Sequence, residues 1–205
     1  YLAAITSGRP LATHLAETHD EFEATTQGTG TLVDLAKRLG AWNESVQLWD
    51  GHPVDVLLAM LGDTPMVAAH LNYIEERHLA LLAESQVTVA YCPRSSTYFG
   101  HENHRVQEML ASGVSVALGT DSLICLDTPD RISVLDEMRV LYRSGGFDSA
   151  SLIAMATING AEALGEDQST LTLETGSVAG LIAIETTREN PFSSAMNTSN
   201  SPTWI

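Results

Sequence analysis

Cysteine is scarce in this chain: Cys92 and Cys125 are the only two among 205 residues. That is too few for a disulfide framework and suits a reducing compartment. Positive charge is scarce as well. Ten Lys and Arg stand against 26 Asp and Glu, a formal net charge of −16, which argues against nucleic acid or an anionic membrane surface as a partner. No apolar run approaches the ~18 residues that a membrane-spanning helix needs. No basic stretch followed by an apolar one opens the chain, so no signal peptide is visible. What the chain does have is 44% hydrophobic against 18% charged residues, the content of one packed core rather than a disordered segment. The expectation is an acidic, cytoplasmic globular chain with a small-molecule partner.

The ends read as cut. Tyr1–Ile5 reads as the tail of a helix that Gly8 and Pro10 interrupt, and a polar C-terminal stretch finishes on Trp204 and Ile205.

Four short apolar runs share one form: Pro10–His14, Pro65–His70, Val87–Cys92 and Val114–Gly119. None alternates polar with apolar over any length, as befits strands covered on both faces. Helical patterns separate them at Glu76–Glu84 and Arg105–Gly113, the second ending on a glycine placed to stop it. Two more, Arg131–Tyr142 and Ser151–Gly160, follow the fourth run. Strand alternating with helix predicts an α/β fold with a parallel sheet. The long gap between the first two runs holds Gln27–Gly30 and helices near Thr31–Leu39 and Val54–Leu61, and reads as an insertion over about 19–62. A strand near Val46–Trp49 stays open as an alternative. Leu171–Glu185 reads as two short strands around a turn, separate from the α/β part.

In parallel α/β folds the reactive groups sit at strand carboxyl ends. The first run ends on His14, the second on His70, and Asp121 follows the fourth. Imidazole and carboxylate are donors that Zn²⁺ or Fe²⁺ accept. Each has an ordinary explanation alone: a hydrogen-bonded structural histidine, or an aspartate capping a helix. Three of four strand ends carrying such groups is harder to dismiss. Glu17, three residues past His14, is placed to shuttle protons without being a ligand, or else is a first-turn glutamate favoured by a helix dipole.

These residues carry a resemblance. His14-Leu-Ala-Glu17, Ala68-Ala-His70-Leu, Tyr91-Cys-Pro-Arg94 and Leu118-Gly-Thr-Asp-Ser122, in that order, resemble the amidohydrolase superfamily. The similarity is greatest to its cytosine, guanine, S-adenosylhomocysteine and aminofutalosine deaminases and its chlorohydrolases. The resemblance implies a metal-dependent (β/α)₈ barrel that hydrolyses C–N bonds other than peptide bonds. Deamination of a purine-, pyrimidine- or nucleoside-like ring amine leads, with dechlorination or cyclic-amide hydrolysis as the alternative. It implies one divalent ion, zinc or else iron. His14 matches the ligand of the fifth barrel strand, and Asp121 the carboxylate after the eighth, which also takes a proton from the attacking water. Glu17 matches the acid/base that passes this proton on. His70 matches the sixth-strand histidine, which polarises substrate or water in mononuclear members and binds metal in binuclear ones.

The family pattern also needs a His-x-His pair on the first barrel strand, and this chain has none. The other histidines, His19, His52, His78, His101 and His104, stand singly. Four strands are half a barrel. Residues 1–168 are therefore expected to be strands 5–8 of a TIM barrel, and 169–205 the β-sandwich strands and irregular tail that accompany it. The missing N-terminal half is the implied partner, and an exposed sheet edge favours a homo-oligomer. A half-barrel surviving as a non-catalytic dimerising subunit is the competing class. A nucleotide-binding domain fits less well, because Gln27–Gly30 follows a helical stretch rather than a strand.

The loop after the third run departs from the usual Asn-Pro-x-Ser-Asn of ring deaminases. It offers Arg94, Tyr98 and His101 as substrate contacts, suited to a polar or heteroaromatic ligand. Equally, Tyr98 and Phe99 could pack under the loop while Arg94 pairs with one of the many acids.

Overall fold

A computed structural model describes residues 2–6, 11–128, 130–173, 175–176 and 178–205. Gly8 and Pro10, read above as a break, lie outside the described residues, as do Tyr1 and, within the C-terminal stretch, Glu174 and Ser177. The elements run α1 (Leu2–Ile5), β1 (Leu11–Leu15), α2 (His19–Gln27), α3 (Thr31–Arg38), α4 (Pro53–Leu61), β2 (Met66–His70), α5 (Glu76–Ala83) and β3 (Val87–Tyr91). They continue as α6 (Pro93–Tyr98), α7 (Val106–Ala111), β4 (Val116–Leu118), α8 (Val134–Ser144), α9 (Ser149–Ala156), α10 (Ile158–Leu164), β5 (Ile182–Ala183), α11 (Pro191–Asn197) and β6 (Thr203–Trp204).

The four predicted runs form one parallel sheet in sequential order β1-β2-β3-β4. The register pairs Leu11 with Met66, Met66 with Val87, and Val89 with Val116. Side chains alternate across a strand, so this register sorts them into two faces. Met66, Ala68, Val87, Val89, Tyr91, Val116 and Leu118 share one face and are all buried. The helices cover it with Leu79 and Leu82 of α5, Met109 of α7, Leu135, Met138 and Leu141 of α8, and Leu152 and Met155 of α9. Side chains of this size each contribute roughly 1.5–3 kcal/mol when fully buried. The other face carries small residues: His14 stands in register with Ala69, Ala69 with Ala90, and Ala90 with Ala117.

The helices stop for local reasons. Gly113 follows α7 with φ +84, a conformation L side chains resist. The predicted helix over Ser151–Gly160 is two helices, because Thr157 leaves helical geometry at φ −134, ψ −89. The break frees the Asn159 amide to donate 2.8 Å to the Val116 carbonyl on β4. Residues 46–49 form no strand; the Trp49 N–H donates instead to the Thr25 carbonyl of α2, 2.8 Å away. The C-terminal pairing also differs from the expectation. Among the described residues of 171–185 only Ile182–Ala183 is a strand, and it pairs antiparallel with Thr203–Trp204, not with its own neighbour across a turn. No helix among the described residues is long and apolar enough to cross a membrane.

One buried ion pair ties the β3–α6 turn to α8. The Arg94 Nε donates 2.6 Å to the Glu137 Oε1, and the Arg94 main-chain N–H donates 3.0 Å to the Glu137 Oε2. Burial raises the pKa of the Glu137 carboxyl, against the opposing pull of those Arg94 donors. Breaking a buried pair by removing one partner leaves an uncompensated charge. Glu137→Ala should therefore lower the unfolding free energy of the intact protein by about 3–5 kcal/mol, read by urea denaturation. The double variant with Arg94→Ala should lose less than the sum of the two singles. Additive losses would show that the pair does not couple these elements.

Candidate metal centre

Three strand ends converge. The ligand atoms of His14, His70 and Asp121 all lie within 4.8 Å of one another. The two imidazoles stack with centroids 5.1 Å apart at 27°, and a Glu17 carboxylate oxygen stands 3.8 Å from His70 Nε2. Of the residues singled out in the sequence, His14, Glu17, His70 and Asp121 thus meet at the carboxyl end of the sheet.

The pleat alone would not bring the histidines together. His70 is in register with Leu15, and Leu15 faces the helices. His14 sits one residue earlier, on the alanine face. The backbone resolves this by turning left-handed at the end of β2, with φ +73 at His70 and +50 at Leu71. Ala16, at +48, and Asp121, at +56, do the same at the ends of β1 and β4. Such conformations cost roughly 1–3 kcal/mol each in a non-glycine residue and persist only where the surroundings hold them. Here hydrogen bonds do so. The Leu71 N–H donates 3.0 Å to the Leu15 carbonyl, and the Tyr73 N–H 3.0 Å to that of Ala16. The Glu21 carboxylate accepts from the N–H groups of Ala16 and Glu17 at 2.9 and 2.8 Å. The Asn72 amide donates 3.1 Å to the Glu17 carbonyl and in turn accepts from Ser96 Oγ at 3.1 Å.

Electrostatics separates the donors. Burial lowers the pKa of His70 and outweighs the opposing pull of Glu17 and Asp121, so its imidazole is neutral near pH 7. For Asp121, burial pulls the other way, but the Ser95 hydroxyl, donating to Oδ2 at 2.5 Å, and the nearby His70 hold its carboxyl below the ordinary value. Gly119, two residues before Asp121, packs close against β3, since a Cβ there would lie 2.8 Å from Cys92 Sγ. Cys92 is buried, and burial pushes its thiol up to about 12, which removes it as a nucleophile.

The donor set fits a divalent cation. Two imidazoles and a carboxylate are zinc-type ligands, and His70 Nε2 is buried without a hydrogen-bond partner among the described residues.

The loop residues are placed differently. The Arg94 guanidinium is held by Glu137, by Asp127 at 3.0 Å and by Thr128 at 2.8 Å, and the residue is only 6% exposed. Of the two readings the sequence left open for Arg94, the pairing with an acid is present here, while its Nη2 is buried without a partner among the described residues. Tyr98 is exposed and packs edge-on against Phe99 at 4.9 Å. His101 lies close enough for its charge to oppose protonation of His70. Its Nδ1 is 3.0 Å from the Tyr73 hydroxyl, and its Nε2 is buried and unpartnered among the described residues. Ser95, Asn72, Glu21 and His104 carry no signal in the sequence. They are recognised only by what they reach across the fold.

A parallel α/β sheet with two imidazoles and a carboxylate converging at its strand ends is a donor arrangement able to hold a divalent cation. The amidohydrolase family model matches residues 2–205, and the chain belongs to that family. It is 34% identical over 165 residues to the 5-methylthioadenosine/S-adenosylhomocysteine deaminase of Moorella thermoacetica, covering 77% of this chain and 38% of that protein. To the S-triazine hydrolase of Gordonia rubripertincta it is 32% identical over 128 residues, 60% of this chain and 27% of that one. The Helicobacter pylori aminofutalosine deaminase in complex with methylthio-coformycin shares the fold with TM-score 0.72 at 22% identity, covering 95% of this chain and 48% of that one. A mutant of the Arthrobacter aurescens atrazine chlorohydrolase, complexed with zinc and atraton, does so with TM-score 0.69 at 18% identity, covering 97% and 42%. The chain thus spans about two fifths or less of the curated relatives it matches.

Ser95→Ala removes a donor that favours the charged form of Asp121, so the carboxyl pKa should rise. A carbon-13 NMR titration of Asp121 in metal-free protein reads this directly. An unmoved midpoint would show that the hydroxyl does not hold the carboxylate.

Proposed function

We propose that this chain is the C-terminal half of a (β/α)₈ barrel hydrolase, with strands β1–β4 as barrel strands 5–8. Its reaction replaces an amine on a purine-, pyrimidine- or nucleoside-like ring by oxygen from water. One observation carries the reading: His14, His70 and Asp121 converge within 4.8 Å while Glu17 stands 3.8 Å from His70. Deaminases among the relatives support it. Hydrolysis of a ring C–Cl bond is the second reading, favoured by the triazine hydrolase similarity.

His14 and Asp121 would hold a divalent ion, zinc as in the solved chlorohydrolase or else iron, and His70 would join them in a binuclear site. When bound, the ion supplies Lewis acidity that makes water nucleophilic near neutral pH. This chain's residues do the rest. Asp121, held ionised by Ser95, accepts a proton from the attacking water. Glu17 carries a proton to the ring nitrogen and then to the departing amine, so that a C–O bond forms, the C–N bond breaks and ammonia leaves. Neutral His70 polarises the reacting group, and His101 and Tyr98 stand on the loop that meets the substrate. The remaining ligands come from the N-terminal half of the barrel, the partner this half requires.

The test compares metal content and turnover in the full-length protein. Glu17→Gln keeps shape but loses the titrating group, so it should retain metal and reduce kcat by about 10²–10⁴-fold, the usual worth of general acid–base catalysis. His14→Ala should lose the metal itself. Loss of metal in Glu17→Gln would make Glu17 a ligand, and full activity would make it a loop residue. Chloride rather than ammonia as the product would favour the second reading.

A further inference from the structure

His104 lies on the loop between α6 and α7 and belongs to none of the roles above. Its Nε2 is 2.8 Å from the main-chain carbonyl oxygen of His70. A carbonyl only accepts, so Nε2 carries the proton and donates. Burial lowers the imidazole pKa to about 4, which leaves a neutral ring whose Nδ1 is bare, buried and unpartnered among the described residues. The ring is fixed by stacking on Tyr91 of β3, with centroids 3.9 Å apart at 19°. The residue before it, Asn103, is itself left-handed at φ +60. The side chain is therefore held on both sides, and its one N–H points across the sheet end at the strained residue.

The carbonyl it binds belongs to the residue whose φ of +73 departs from the strand. A regular pleat would leave the His70 imidazole on the Leu15 side, away from His14. The orientation of the peptide unit after His70 is coupled to that departure, and the His104 bond fixes this orientation. We infer that His104 is a positioning residue: its Nε2–H holds the His70 carbonyl in the left-handed turn and so aims the His70 imidazole at His14 and Asp121. The inference deepens the reading of the centre given above and rests on it.

The test uses the full-length protein with three variants, read by zinc affinity, steady-state kinetics, crystal structure and melting temperature. His104→Phe keeps a ring to stack on Tyr91 and deletes the donor. His104→Gln places an amide N–H near where Nε2–H lay. His104→Asn keeps an amide too short to reach, and it replaces His104→Phe should that variant fail to fold. Affinity for the zinc that His70 joins in a binuclear site, measured by competition with a chelator, should weaken by about 10–100-fold in His104→Phe, the usual effect of losing a group that orients a ligand. kcat should fall by a similar factor, with KM within about threefold. His104→Gln should recover most of both. In a crystal structure of metal-free His104→Phe, His70 should leave the left-handed region and its imidazole should part from His14.

A merely structural role would lower the melting temperature of His104→Phe while leaving zinc affinity within about threefold of wild type, and that result overturns the inference. So does a Gln variant as damaged as the Phe variant, or a His70 unmoved in the crystal. A wild-type protein that binds zinc but hydrolyses no ring amine would overturn the proposed reaction alone, since the affinity and crystallographic readouts still judge His104.

Discussion

Everything at the candidate centre depends on the left-handed turn at the end of β2. A parallel ladder fixes which side chains share a face, and the register puts Leu15 beside His70 and Ala69 beside His14. Within that ladder the two histidines face opposite ways. Only where the backbone leaves the pleat, at His70 and Leu71, can the second imidazole stack on the first. Similar departures at Ala16 and Asp121 release Glu17 and the third donor from the strands that carry them. The rigid sheet supplies the position and the strained ends supply the aim.

Strain of this kind has to be offset, and the acidic, hydrogen-bonding loops do so. Glu21 gathers two main-chain N–H groups beneath Glu17, Asn72 links that loop to Ser96, and Ser95 holds Asp121. Ser95 and Ser96 are nearly fully buried in the first turns of α6. The same helix begins beside Arg94, whose pairing with Glu137 anchors it to α8. The ion pair fixes the helix that presents the hydroxyl to Asp121.

Much of this was legible in the sequence. Strands covered on both faces appear as apolar runs between helical stretches, so the four strands and the parallel order followed from the pattern. His14, His70 and Asp121 were visible because each stands at a strand end. What was not legible depends on partners far along the chain. The sequence leaves Arg94 open between a ligand contact and an acid partner, and Glu137, the partner in the fold, lies forty-three residues on. The partner of β5 is β6, beyond an intervening helix, not the adjacent segment. His104 is an isolated histidine in sequence, and only the fold brings it to the carbonyl of His70. The helix break at Thr157 lets Asn159 reach β4, a tertiary contact that local spacing does not contain.

The central claim is that His14 and Asp121 hold a metal ion beside His70, with further ligands from the rest of the barrel. Anomalous diffraction at the zinc edge from crystals of the zinc-loaded full-length protein tests it most directly. The account predicts a strong peak at the carboxyl end of the sheet, touching His14 and Asp121 and beside His70, with Glu17 near but not coordinating. A fully loaded protein whose peak lies elsewhere, or at Cys92 and Cys125, would contradict it.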